Sequence, residues 1–230
     1  MNLDEGRLAK MIDHTLLKPF ISNKDLVKLC NEAMEYNFKT VAINNAVIPF
    51  CKKTLEGSEV LCDAAVGFPL GQSTIETKVF ETIDAIENGA GEVDYVVNIV
   101  EIKNDNWEYV EEEMKRIVAA CDQRNVVSKV IFETCYLTDH EKRRLCEVAL
   151  KLKPTYIKTS TGFGTEGATV EDVKLMKECV SDQIKIKASG GVRSFNDALN
   201  MIEAGADRIG TSSGVKIIEQ FKAYQNERNL

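Results

Sequence analysis

Ile184-Lys185-Ile186-Lys187-Ala188-Ser189-Gly190-Gly191 is a short β-rich apolar run that ends in a Ser/Gly turn. Tyr156-Ile157-Lys158-Thr159-Ser160-Thr161-Gly162-Phe163 has the same layout upstream. Each reads as a strand that feeds a loop able to carry function. A lysine near the end of such a strand costs free energy to keep out of water. Two of them on neighbouring strands would also repel each other, which argues against a purely structural pair.

The same alternation extends outward in both directions. Further β-rich runs lie at residues 11–15, 40–44, 61–67, 92–99, 129–134 and 208–211, which with 156–161 and 184–189 makes eight. Helical spacing fills the gaps. Ser22-Asn23-Lys24-Asp25 opens one helix, and Ser73-Thr74-Ile75-Glu76 and Thr138-Asp139-His140-Glu141 have the spacing of capping boxes. Residues 107–122 place Val110, Met114, Ile117, Val118 and Cys121 on one side of an amphipathic helix. Gly89 and Gly205 close two helices, and a short leading helix over 3–10 would flank the bottom. Eight strands each followed by a helix predict one (β/α)8 barrel over residues 1–230, a length typical of that fold. An open doubly wound sheet is the alternative, but it usually carries its Gly-rich loop after the first strand. Here the first strand leads into Leu16-Leu17-Lys18-Pro19, and the glycine loops cluster late.

Composition narrows the function classes. Hydrophobic residues at 44% support a large core, and 28% charged residues suit a solvated surface. A net charge of −7 argues against nucleic acid as a partner, because phosphate contacts need clustered Lys and Arg. The seven cysteines are odd in number and lack C-x-x-C spacing, which favours reduced thiols over disulfides or zinc. The early acids Asp4 and Glu5 and the lack of an apolar h-region predict no signal peptide. No stretch approaches 18 apolar residues, so no membrane partner is expected and the location reads as cytoplasmic.

Barrel enzymes build their sites at the carboxyl ends of the strands. That rule selects Asp13, Thr15, Asn44, Asp94, Asn98, Glu133, Lys158, Lys187 and the loops Gly190-Gly191 and Gly210-Thr211-Ser212-Ser213. If the two ammonium groups stood ~6 Å apart at an effective dielectric of ~20, repulsion would be roughly 3 kcal/mol, or about two pKa units. An appreciable share of one amine would then be free near neutral pH, able to attack a carbonyl and form a Schiff base. Spacing does not say which lysine is which. Asp94 can supply the proton relay that such chemistry requires. Alternation places Glu92 and Lys185 one layer deeper, where a structural ion pair is expected. The glycine loops after strands seven and eight, with the following helix start, suit a phosphate. His14 is expected to be packed, and His140 to lie on a helix surface. No metal-ligand spacing occurs.

The stretches 13–19, 66–71, 91–94, 129–134, 157–163, 187–193 and 208–214, in this order, resemble deoxyribose-phosphate aldolase along nearly the whole chain. The resemblance implies reversible cleavage of 2-deoxy-D-ribose 5-phosphate to acetaldehyde and D-glyceraldehyde 3-phosphate, without metal or organic cofactor. It makes Lys158 the Schiff-base nucleophile, Lys187 the group that lowers its pKa, and Asp94 the proton relay. It sets Asp13, Thr15, Asn44 and Thr161 near the sugar, and Gly162, Gly190, Gly191, Gly210, Ser212 and Ser213 around the phosphate. A homodimer is the assembly it suggests. Three departures stand out: Asn45 follows Asn44 where many relatives have proline, Tyr95 follows the aspartate, and the chain ends in Asn229-Leu230 where some relatives have a tyrosine. A phosphosugar isomerase using Asp94 and a lysine without covalent chemistry, and a non-catalytic phosphosugar sensor, are the competing readings.

Overall fold

The computed structural model describes residues 3–228. Helix α1 (Glu5–Lys10) precedes strand β1 (Ile12–Leu16), and the alternation then runs α2 (Asn23–Glu35), β2 (Thr40–Asn44), α3 (Ile48–Thr54), β3 (Leu61–Val66) and α4 (Ile75–Glu87). It continues through β4 (Ala90–Val96), α5 (Ile99–Lys103), α6 (Trp107–Asp122), β5 (Val127–Ile131), α7 (Asp139–Leu152) and β6 (Tyr156–Lys158). Helix α8 (Val170–Val180), β7 (Lys185–Ser189), α9 (Phe195–Ala204), β8 (Arg208–Thr211) and α10 (Gly214–Arg228) complete it. The eight strands pair in parallel and in sequence order, and β8 closes onto β1. This is the (β/α)8 barrel that the alternation predicts. Outward-facing strand residues such as Val41, Ile43, Val93, Val130, Ile157 and Ile186 are fully buried against the helices.

The helix starts follow their caps. Thr138 with Glu141 forms the expected capping box, and Ser22 with Asp25, expected only to open a helix, forms one as well. The third start is shifted by one residue: Thr74, rather than Ser73, accepts from Thr77 N, and Glu76 instead reaches Arg116. Strand ends also differ from the apolar pattern. The run over 92–99 stops at Val96, because Asn98 turns the chain and caps α5 by accepting from Val100 N. The run over 129–134 stops before Glu133, whose φ of 54° is left-handed and breaks the extended backbone.

Register settles the question of adjacency. Lys158 on β6 lies directly opposite Lys187 on β7, and Lys187 opposite Arg208 on β8. Asp94 on β4 lies opposite Lys129 on β5. Since side chains alternate along a strand, these residues share the barrel's inner face. His14 is packed as expected, its Nε2 2.8 Å from Glu32 and its ring 5.1 Å from that of Phe38, while His140 is exposed in the first turn of α7. All seven cysteines are free thiols. Among the described residues, no helix is long and apolar enough to cross a membrane.

Candidate active site

A cavity of about 380 Å³ opens at the carboxyl ends of the strands. Thr15, Asp63, Phe68, Asp94, Lys158, Thr161, Gly162, Gly190, Gly191, Gly210, Thr211 and Ser212 line it, together with Lys18, Phe163 and Arg193 at its rim. At its floor lie four carboxylates, Asp13, Asp63, Glu92 and Asp94, and four cations, Lys129, Lys158, Lys187 and Arg208, all buried.

The key arrangement centres on one oxygen. Asp94 Oδ2 accepts from Lys158 Nζ at 2.5 Å and from Lys187 Nζ at 2.7 Å, while Oδ1 accepts from Lys129 at 2.8 Å. Lys187 Nζ also lies 2.6 Å from Asp13 and 2.8 Å from Asp63. Lys129 lies 2.8 Å from both Asp63 and Glu92. Arg208 joins Asp13 at 2.6 Å to Glu92 at 3.1 Å. Buried charges survive only in such compensated sets, since an unpaired one costs several kcal/mol. Asp13, Asp63 and Glu92 approach within 4.8 Å of one another, a spacing that a metal ion could bridge, but Lys129, Lys187 and Arg208 already meet their charge.

The surroundings separate two lysines that the sequence leaves equivalent. Burial lowers the Lys158 pKa; the adjacent Asp94 opposes that shift, and the Lys187 cation adds to it. Repulsion between the lysines is therefore a smaller contribution than desolvation, a correction to the sequence-based argument. Burial also disfavours the Lys187 cation, but Asp13, Asp63 and Asp94 outweigh it and hold its pKa above the usual lysine range. For Asp94, burial is outweighed by Lys129, Lys158 and Lys187, which hold the carboxyl well below the ordinary range. The site thus contains one amine biased toward neutrality beside one permanent cation, bridged by a permanent carboxylate.

Other expected residues fall into three groups. Thr15 and Thr161 line the cavity, as do Gly162, Gly190, Gly191, Gly210, Thr211 and Ser212. Thr161 is held by Glu133, which accepts from its backbone N at 3.2 Å and from its hydroxyl. Burial raises the Glu133 pKa against the pull of those hydrogen bonds. Asp13 and Lys187 lie beneath the cavity within the ion network. Asn44, Asn98 and Ser213 do not line it: Asn44 donates to Leu17 O at 3.2 Å, Asn98 caps α5, and Ser213 N donates to Thr211 Oγ1 at 2.9 Å.

The expected Glu92–Lys185 ion pair does not form. Lys185 is exposed at the start of β7 with its ammonium 5.6 Å from the centre of the Tyr156 ring, whereas Glu92 is held by Lys129 and Arg208. Strand alternation gives the right face for Lys185, but the barrel end there is open to water. Asp63, Lys129 and Arg208 are not assigned from sequence: Asp63 and Lys129 sit inside β-rich apolar runs with no turn to mark them, and Arg208 opens its strand, away from the carboxyl end where the site is sought. Phe68, 5.3 Å from Lys158 Nζ, was equally silent.

The sequence model of the DeoC/LacD family aldolase matches residues 7–220. The chain belongs to this family. Within that aldolase family, the deoxyribose-phosphate aldolase of Lactobacillus acidophilus is 53% identical over 222 residues, covering 96% of this chain and 94% of that protein. A solved structure described as QR15, an aldolase, superposes with a TM-score of 0.90 at 37% identity, covering 96% of this chain and 98% of its own. The deoxyribose phosphate aldolase from Aeropyrum pernix, described as tetrameric, superposes with a TM-score of 0.86 at 33% identity, covering 96% and 93%.

Proposed function

We propose that this aldolase cleaves 2-deoxy-D-ribose 5-phosphate reversibly into acetaldehyde and D-glyceraldehyde 3-phosphate through a Schiff base on Lys158. The observation that carries it is the shared oxygen of Asp94: Lys158 Nζ at 2.5 Å and Lys187 Nζ at 2.7 Å, at the floor of the cavity. Lys158, with its pKa lowered by burial, is the amine that attacks the C1 aldehyde. Lys187, locked as a cation by three carboxylates, keeps positive charge beside it without competing as a nucleophile. Loss of water from the carbinolamine gives an iminium, which draws electrons as the C2–C3 bond breaks. The C3 hydroxyl gives up its proton, glyceraldehyde 3-phosphate leaves, and the resulting enamine is protonated at C2 before hydrolysis frees acetaldehyde. Asp94 passes protons along this sequence with a bound water.

The sugar chain lies along Thr15 and Thr161, and the phosphate at the glycine loops. Gly190 and Gly191 line the cavity with left-handed φ values of 84° and 80°, which glycine adopts without strain, and the backbone N–H groups of such loops suit an anion. Gly162, Gly210 and Ser212 complete the phosphate cradle with the start of α10, while Ser213 acts indirectly, fixing that loop through its N–H to Thr211. Asp13 acts indirectly, by fixing Lys187 from below, and Asn44 by fixing the loop through Leu17. The protein works as one barrel domain in the cytoplasm, as a homodimer, with no metal or organic cofactor.

Incubation with acetaldehyde and borohydride, followed by peptide mapping, tests the mechanism. A stable adduct on Lys158 is expected. An adduct on another lysine would move the nucleophile's role to that residue, and no adduct would return the site to the isomerase reading, in which Asp94 and a lysine shuttle protons without covalent chemistry.

A further inference from the structure

The charge count of the barrel floor poses a problem for the proposed chemistry. With every group ionised, the four carboxylates Asp13, Asp63, Glu92 and Asp94 match the four cations Lys129, Lys158, Lys187 and Arg208. Lys158 must lose a proton to attack, and the closed floor would then hold an unbalanced negative charge. Asp94 is a poor place to store that proton, because three lysines surround it. Asp13 accepts from Thr40 and Arg208 through Oδ1, and with Oδ2 2.6 Å from Lys187 its carboxyl is held well below the ordinary range; Glu92 accepts from Arg208 through both of its oxygens.

Asp63 is different. It is 1% exposed, yet it lines the cavity. Its Oδ2 accepts from Lys187 at 2.8 Å, while its Oδ1 lies 2.8 Å from Lys129 Nζ without accepting a hydrogen bond. The groups facing it are Lys187 of β7, Lys129 of β5, Asp94 and Glu92 of β4 and Asp13 of β1. It is joined to the nucleophile by a continuous chain of hydrogen bonds: Lys158 to Asp94 Oδ2, Lys187 to the same oxygen, and Lys187 to Asp63 Oδ2.

Building on the Schiff-base reading, we infer that Asp63 holds the proton that Lys158 releases and returns it when the iminium forms. The transfer balances. Lys158 Nζ gives a proton to Asp94 Oδ2; Lys187 passes one of its own to Asp63 and takes up the one on Asp94. Lys158 is left neutral, Asp63 is a neutral acid, and Asp94 and Lys187 keep their charges. When the amine adds to the aldehyde, the carbinolamine hydroxyl needs one proton to leave as water. Asp63 supplies it along the same chain, so the cationic iminium and the ionised Asp63 appear together. The floor is neutral before and after. Burial, and then Asp94, push the Asp63 carboxyl up to about 6 against the pull of Lys129 and Lys187, in keeping with this role. Asp63 is thus a positioning residue for protons, acting through Lys187 and Asp94.

Infrared difference spectroscopy, paired with borohydride trapping on the same sample, tests the idea. Wild-type protein near pH 6, where the Asp63 carboxyl is partly protonated, should show a protonated-carboxyl C=O band that D63N lacks, and acetaldehyde should abolish that band as the trappable adduct forms. In the pH profile of kcat/KM, D63N should keep the acid limb set by Lys158 but lose the alkaline limb, with kcat at the plateau falling roughly tenfold. A band that is absent, or that survives acetaldehyde, overturns the inference, as does a D63N profile that keeps both limbs. If D63N does not fold, Asp63→Glu should keep the band and its loss with acetaldehyde, and a Glu variant without them overturns the inference. Failure of wild-type protein to trap acetaldehyde would instead overturn the Schiff-base reading itself.

Discussion

Lys158 and Lys187 have the same side chain and lie directly opposite each other on adjacent strands, so their different chemistry must come from what each one touches. Lys158 meets a single carboxylate, Asp94, and the face of Phe68, whereas Lys187 meets Asp13, Asp63 and Asp94. Lys158→Met should abolish the borohydride adduct and lower kcat/KM by at least ~1000-fold, because no other amine in the cavity combines that position with a lowered pKa. Lys187→Met removes a cation that depresses the Lys158 pKa. Its kcat/KM acid limb should therefore move to higher pH, by about one unit, with part of the lost activity recovered in alkaline buffer. A variant whose profile drops uniformly, with the limb unmoved, would show that Lys187 acts by shape alone. In the intact enzyme, activity should rise with pH toward neutrality as Lys158 loses its proton. The two lysines were legible from sequence because turns mark them, while Asp63, Lys129 and Arg208 become site residues only when the barrel closes.

Each strand is useful to the site only if its carboxyl end is held, and the helices do this with buried polar contacts. Lys78 of α4 donates to Glu113 of α6 at 2.6 Å and to Val96 O at 2.7 Å, and Glu113 accepts from Asn98 N at 3.0 Å. This fully buried pair ties down the end of β4, two residues beyond Asp94. Lys78→Met leaves the Glu113 carboxylate buried without its cation and should destabilise the fold by about 3–5 kcal/mol, whereas Lys78→Met with Glu113→Leu should recover most of that in urea unfolding. The loops are fixed by close backbone approach. Ala168 N donates to Ser189 O and Gly190 O, both at 3.0 Å, and a Cβ on Gly167 would stand 2.2 Å from Gly190 O. Gly167→Ala must push apart the loops carrying Thr161 and Gly191. It should raise KM for the phosphorylated substrate about tenfold or more while KM for acetaldehyde in the synthetic direction changes little. Helix starts and glycine turns could be read from local chemistry. The early end of β5 at the left-handed Glu133 could not, because nothing in Phe132-Glu133-Thr134 announces that turn.

At the scale of the molecule, the ion network couples stability to pH in two opposing ways. Asp13 and Asp94 are held below the ordinary carboxylate range, so the stability they add is present above their unfolded pKa, near ~4, and is lost as pH falls through their folded values. Asp63 is pushed up to about 6, so its protonated form adds stability that is fully present below its unfolded pKa and is lost as pH rises through about 6. Urea midpoints measured across pH should therefore fall in wild-type protein between roughly pH 4 and 6, relative to Asp63→Asn. Identical curves for the two proteins would mean that Asp63 is ionised throughout that window.

The sequence by itself determined the barrel, because eight β-rich runs alternating with capped amphipathic helices leave few other ways to bury so many apolar faces. It also determined which strand ends carry the lysines, Asp94 and the glycine loops, since turn chemistry is local. Only the tertiary structure decided how those groups divide their roles. The Lys185 ammonium reaches water and leaves Glu92 to Lys129 and Arg208, Asp13 lies below the cavity, and Asp63 enters the network. Charge and solvation depend on distances between residues far apart in the chain. Asp63 meets Lys187, and Asp13 meets Arg208, only after strand eight has closed on strand one.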